Sequence, residues 1–147
     1  MLPMNQHHAP DDLPAEQPHL AAREKAFALI TAATAVLYLG AATLHWGVRI
    51  PIGPVVLAFP APIRPATIVE AAIGMALAGG AIAVLAQARR ASTIARIAYA
   101  FALIGTLFGL TIVLLRRLPA PDIWVHVAML TGLAAGYPLL PRPRRSG

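Results

Sequence analysis

Charged positions along this chain fall in short clusters, and four long stretches between them carry none. Residues 26–48, 71–88, 97–115 and 123–140 contain no Asp, Glu, Lys or Arg, giving runs of 23, 18, 19 and 18 residues. Roughly 20 apolar residues of helix cross the hydrocarbon core of a bilayer. A helix is the expected form, because it satisfies its own backbone hydrogen bonds where water is absent. The pattern therefore predicts an all-α integral membrane four-helix bundle in up-down-up-down order. Its spans fall at about 26–48, 65–88, 97–115 and 122–140, and together they form one transmembrane domain over 26–140.

The connections refine this picture. "RRASTIA" and "RRLPAPD" are short, which makes spans two and three, and three and four, antiparallel neighbours. The first connection, "GVRIPIGPVVLAFPAPIRPA", is longer and mostly apolar, and its prolines forbid a continuous helix. It reads as a segment lying in the interface or dipping back against the bundle. Residues 1–25 are rich in Pro, His and acids without apolar periodicity, and read as a disordered tail. His7, His8 and His19 within it could catch a metal, but a solvated tail is the simpler reading. Residues 141–147 form a short basic tail. The first span is too long, and stands too far from the start, for a signal peptide, so it is expected to stay uncleaved.

Composition agrees with the pattern: 58% of the 147 residues are hydrophobic, 12% are charged and the mean hydropathy is +0.67. An ordinary soluble domain is about a quarter charged. The net charge of +6 does not signal nucleic acid, because the basic residues sit at span ends without interleaved aromatics. They orient the chain instead. Eight Lys and Arg fall on the side of the two termini and the 89–96 connection, against four (Arg49, Arg64, Arg116, Arg117) on the other. The positive-inside rule then places both termini in the cytoplasm. Eleven of the twelve basic residues are Arg and Ala is abundant, which suggests a GC-rich bacterial genome and the inner membrane. The absence of cysteine excludes disulfides and thiol chemistry.

Against this apolar background three ionisable residues stand out. His45 lies four residues before Arg49, Glu70 six after Arg64, and His126 four after Asp122. At 1.5 Å per residue each is roughly 6–9 Å below its flanking charge, on the same side of the membrane. A charge in mid-span costs about 2.5–3.5 kcal/mol on insertion scales, so such residues are expected to face inward and meet partners. Thr34, Tyr38, Ala41 and His45 share one face of span one. Thr111 lies at comparable depth on span three. Asp122, one turn before His126, is placed to orient its ring or to cap the helix. Small residues at Gly74 and Gly80, at Ala98, Ala102, Gly105 and Gly109, and at Ala128, Gly132 and Gly136 allow close helix approach, within one bundle or between copies in a homo-oligomer.

Several readings of His45, Glu70 and His126 stay open: a structural hydrogen-bond network, a pocket for a quinone-like ligand or for protons, and a metal or haem site with His45 and His126 as ligands. The stretch from Pro65 onward resembles the DoxX-like family of small four-span membrane proteins. The likeness rests on "EAAIGMALAGGAIAVL", the basic turn "ARRASTIAR" and the Pro-rich connection before them. It implies a membrane partner of oxidoreductase subunits in thiosulfate, quinone or redox-stress systems, and it carries over Glu70 alone. Three functions follow as expectations. The first is a membrane subunit or accessory protein of a bacterial redox or respiratory system, with an outward-facing polar pocket. The others are a small proton-coupled transporter and a purely structural or assembly protein. No nucleophile–base pair, phosphate loop or zincin motif is present, so an enzyme in its own right is not expected.

Overall fold

The computed structural model describes residues 20–59, 62–118 and 120–142. The N-terminal tail with His7, His8 and His19, and most of the basic C-terminus, lie outside the described residues. Four helices make up the body: α1 (Ala22–His45), α2 (Arg64–Leu85), α3 (Ala91–Leu115) and α4 (Ala120–Gly136). A single 3₁₀ turn, Tyr137–Leu139, follows α4, and a small hairpin, β1 (Ile50–Ile52) with β2 (Val55–Leu57), sits between α1 and α2. Among the described residues all regular structure apart from this hairpin is helical, and α1, α2 and α3 are each long and apolar enough to cross a membrane.

The helices extend beyond the charge-free runs at their N-terminal ends, because charge marks a membrane boundary and not a helix boundary. Arg23 and Glu24 belong to α1, where Glu24 accepts from the Ala21 N–H at 3.3 Å. Arg23 donates to the Pro138 and Leu140 carbonyls, tying the start of α1 to the end of the chain's last turn. The C-terminal ends of α1, α2 and α4 come earlier than hydropathy suggests, α3 ends at Leu115 as expected, and the ends of α1, α2 and α3 share one device. At Gly47, Gln87 and Arg117 the backbone turns to φ of 99°, 51° and 49°. Each turn closes with the paired backbone bonds of a Schellman motif: Val48 to Thr43 and Gly47 to Leu44, Ala88 to Ala83 and Gln87 to Val84, Leu118 to Val113 and Arg117 to Leu114. The fourth helix stops at Gly136, short of the expected residue 140, because Pro138 lacks the N–H that would bond the Ala134 carbonyl, and the chain continues as a 3₁₀ turn.

Helix α1 packs along α2, α2 against α3, α3 against α4 and α4 back against α1, closing a ring. Two hydrogen bonds cross its diagonal, Thr31 to Tyr99 at 3.0 Å and Tyr38 to Thr106. Both join residues 68 apart in sequence, so α1 and α3 run in the same direction. Gly74, Gly80 and Gly136 pack inside this one bundle, while Ala128 is exposed on α4. Gly74 lets Leu39 and the Ala35 carbonyl of α1 come close, Gly80 meets Ala95 and Ala98, and Gly136 lies under the Tyr99 hydroxyl. The outer surface is apolar: Leu29, Ile68, Ile97, Ile104, Phe108 and Leu115 are each about two-thirds exposed or more. A soluble monomer rarely exposes so much contiguous apolar surface.

The first connection is neither a loose loop nor a helix. Its strands pair in the register Ile50–Leu57, Pro51–Val56 and Ile52–Val55 around a two-residue Gly53–Pro54 loop, with Gly53 at φ 57°. A Gly-X pair of this kind favours a tight hairpin. Proline is tolerated because a two-stranded ribbon consists only of edge strands. Beyond the hairpin the Ile63 N–H donates to the His45 carbonyl at 2.9 Å, which fastens the start of α2 to the end of α1.

Candidate functional site

That fastening brings His45 and Glu70 together. His45 ends α1 and Glu70 lies within the second turn of α2; both are buried, and His45 Nδ1 donates to Glu70 Oε2 at 2.7 Å. The other ring nitrogen, Nε2, faces Asp122 Oδ1 of α4 across a longer 3.5 Å. One imidazole thus stands between two buried carboxyl groups from two other helices. Phe59, from the chain returning out of the hairpin, stacks on its face with ring centres 4.2 Å apart and planes 9° from parallel. Burying a carboxylate alone is costly, whereas hydrogen-bonded pairing offsets much of that cost.

His45, Glu70 and Asp122 line a cavity of about 380 Å³ between the helices at this end of the bundle. His126, also buried, lines it from α4. Its Nδ1–H donates to the Asp122 carbonyl one turn earlier at 2.8 Å, which leaves Nε2 toward the cavity and close against Gly109 of α3. Tyr38 and Thr106 lie at the floor. Thr106 donates to the Ala102 carbonyl at 2.6 Å, so Tyr38 is the donor in the bond between the two hydroxyls. The walls are apolar, with Ile73, Val69, Phe108, Ile112 and Met129 among them, and Arg116 stands exposed at the rim.

The structure therefore gathers His45, Glu70, His126, Asp122 and Tyr38 around one space. It corrects three expectations. Asp122 does not orient the ring of His126 with its carboxylate: its backbone carbonyl takes that N–H, and its side chain turns to His45. Thr34 is buried but bonds the Ile30 carbonyl at 2.9 Å and packs against Gly132, away from the cavity. Thr111 is exposed and bonds the Leu107 carbonyl; Thr106, five residues earlier, supplies the hydroxyl from α3. The metal reading loses its geometry as well. Both nitrogens of His45 already face carboxylates, and no group of three or more His, Asp or Glu among the described residues is arranged to hold an ion.

Sequence reasoning missed Thr106, Arg116 and Phe59, and one signal was available for the equivalent placement of Glu70 and His126. Residues 65–80 and 121–136 align without a gap, sharing Pro65 with Pro121, Val69 with Val125, Ala72 with Ala128, Leu77 with Leu133, Ala78 with Ala134 and Gly80 with Gly136. Glu70 and His126 fall on the same position, the seventh residue of α2 and of α4. Ile73 and Met129 are likewise equivalent, and both are buried against the cavity. Compared with protein-family models, curated proteins and solved structures, the chain matches none.

Proposed function

We propose that this chain is a four-span inner-membrane protein, related to the DoxX-like proteins. In this reading it is a membrane subunit or accessory protein of a bacterial redox system that holds a lipid-soluble, quinone-like ligand. The observation that carries the reading is the cavity itself: apolar walls around a hydrogen-bonded His45–Glu70–Asp122 cluster, with the unpaired face of His126 beside it. A small apolar pocket with a few converging polar groups is the usual form of a small-ligand site. Ionisable residues inside a membrane bundle more often serve protons or ligands than packing.

The up-down-up-down arrangement is supported by the parallel sense of α1 and α3 and by the short connections 86–90 and 116–119. The helical part of α4, 17 residues or about 25 Å, is short for a span, and the 3₁₀ turn after it adds length. In this reading the termini are cytoplasmic and the cavity opens near the outer face. Because the chain has no cysteine, single-cysteine variants test the topology directly. Val55→Cys in the hairpin is expected to react with an impermeant maleimide on intact cells, and Ser146→Cys only after lysis. The reverse pattern overturns the orientation. Function is tested by mild-detergent purification from native membranes, with extraction of bound quinone and identification of retained subunits. Quinone and oxidoreductase subunits retained by the wild type and lost from Glu70→Leu support the reading; a folded protein that retains neither removes it.

A further inference from the structure

Hydrogen-bond donors and acceptors at the buried end of the cavity are unequal in number. Among the buried side chains that line it every donor is spent, and the unspent N–H groups of Arg116 stand apart at the exposed rim. Each nitrogen of His45 faces a carboxyl oxygen, and His126 Nδ1–H is taken by the Asp122 carbonyl. Thr106 donates to Ala102, and Tyr38 to Thr106. The acceptors are not spent. Glu70 Oε1, Asp122 Oδ2 and, in the neutral ring, His126 Nε2 have no partner among the described residues. Their residues are 6%, 4% and 7% exposed. None of these atoms is sealed off, since among the described residues no fully buried side-chain nitrogen or oxygen lacks a hydrogen bond. A carbonyl head group would meet lone pairs with lone pairs; a hydroxyl head group would meet them with protons.

Val69 of α2 and Phe108 of α3 line the cavity and are 45% and 67% exposed on the outer surface, so these two side chains stand between the space and lipid. Arg116, at the rim, disfavours a cationic head and leaves a neutral one as the better match.

We propose that the cavity takes a lipid-soluble aromatic alcohol of the hydroquinone class and discriminates against the oxidised dicarbonyl form. Its hydroxyls donate to His126 Nε2 and to Glu70. This rests on the ligand-pocket reading above and adds the form of the ligand to it. Leaving a buried acceptor unpaired costs enough to separate the two forms by roughly tenfold or more per hydroxyl.

The test is calorimetric titration of the full chain in lipid nanodiscs, with empty nanodiscs as the partition blank. The probes are tetramethylhydroquinone kept reduced under nitrogen, tetramethylbenzoquinone, the dimethyl ether of the hydroquinone, and phenethylamine. The hydroquinone is expected to bind saturably, and the quinone and the ether at least about tenfold more weakly. The variant His126→Phe, checked for folding by its thermal transition, is expected to lower hydroquinone affinity toward that of the ether and leave the ether unchanged. Should the variant not fold, the wild-type series alone decides. Quinone or ether binding within about threefold of the hydroquinone, less than one hydrogen bond is worth, overturns the proposal while a ligand pocket remains. Tighter binding of the amine does the same. If no probe saturates, the ligand-pocket reading falls with it.

Discussion

The first helix pair, α1 with α2, and the second, α3 with α4, follow one plan and part at the cavity. Thr31 and Tyr38 on α1 face Tyr99 and Thr106 on α3, the same two residue types exchanged at the same seven-residue spacing. One step further, His45 of α1 corresponds to Val113 of α3, while Glu70 of α2 corresponds to His126 of α4. In the first pair the two polar side chains meet and close on each other at 2.7 Å. In the second, valine gives His126 nothing to bond, so its ring turns one nitrogen back to its own helix and leaves the other free. The asymmetry separates two roles on similar scaffolds: one half is closed by pairing, and the other half is left open.

The largest expected effect comes from making the first half like the second. His45→Val removes the imidazole between Glu70 and Asp122 and leaves two buried carboxyl groups without their shared partner. Breaking a buried pair in this way costs about 3–5 kcal/mol. Reversible unfolding in mixed micelles should register that loss, and a variant as stable as wild type would show that the cluster is not what closes this half.

The matched glycines give a smaller and sharper contrast. A Cβ at Gly136 would fall on the Tyr99 hydroxyl, whereas one at Gly80 would meet Ala95 and Ala98 at an ordinary 3.5 Å. Gly136→Ala is expected to cost about 1–3 kcal/mol as Tyr99 is pushed from Thr31. Gly80→Ala is expected to stay within about 1 kcal/mol of wild type, helped by the better helix propensity of alanine. Equal effects at the two positions would mean that the halves pack alike. The smallest effect concerns the helix ends. Gly47 closes α1 and Arg117 closes α3 with the same positive-φ turn, and only glycine adopts it without strain. Arg117→Gly is therefore expected to stabilise by about 0.5–1 kcal/mol, read as a raised midpoint in the same unfolding assay.

Much of the site is legible in the sequence. The common depth of His45, Glu70 and His126 followed from counting residues to the nearest charge, and all three line the cavity. The same count places Thr111 at this depth, yet it is exposed, because depth says nothing about which way a helix face turns. The one sign of Thr106 in the sequence is that it lies seven residues beyond Tyr99, the spacing that separates Thr31 from Tyr38 on α1. Phe59 sits in a Pro-rich stretch with no periodicity to read, and only the hairpin's return path puts it over His45.

By itself the sequence determined the helices, their apolar outer faces and the presence of costly polar groups inside them, since each follows from a local property: run length, hydropathy, or the free energy of placing a charge in hydrocarbon. Tertiary structure alone decided which polar group meets which. The carboxylate of Asp122 had His126 one turn away on its own helix and turned instead to His45, 77 residues distant. Hydrogen-bond partners are chosen by the rotation and approach of whole helices, and those are set by where glycines admit large neighbours along every interface at once.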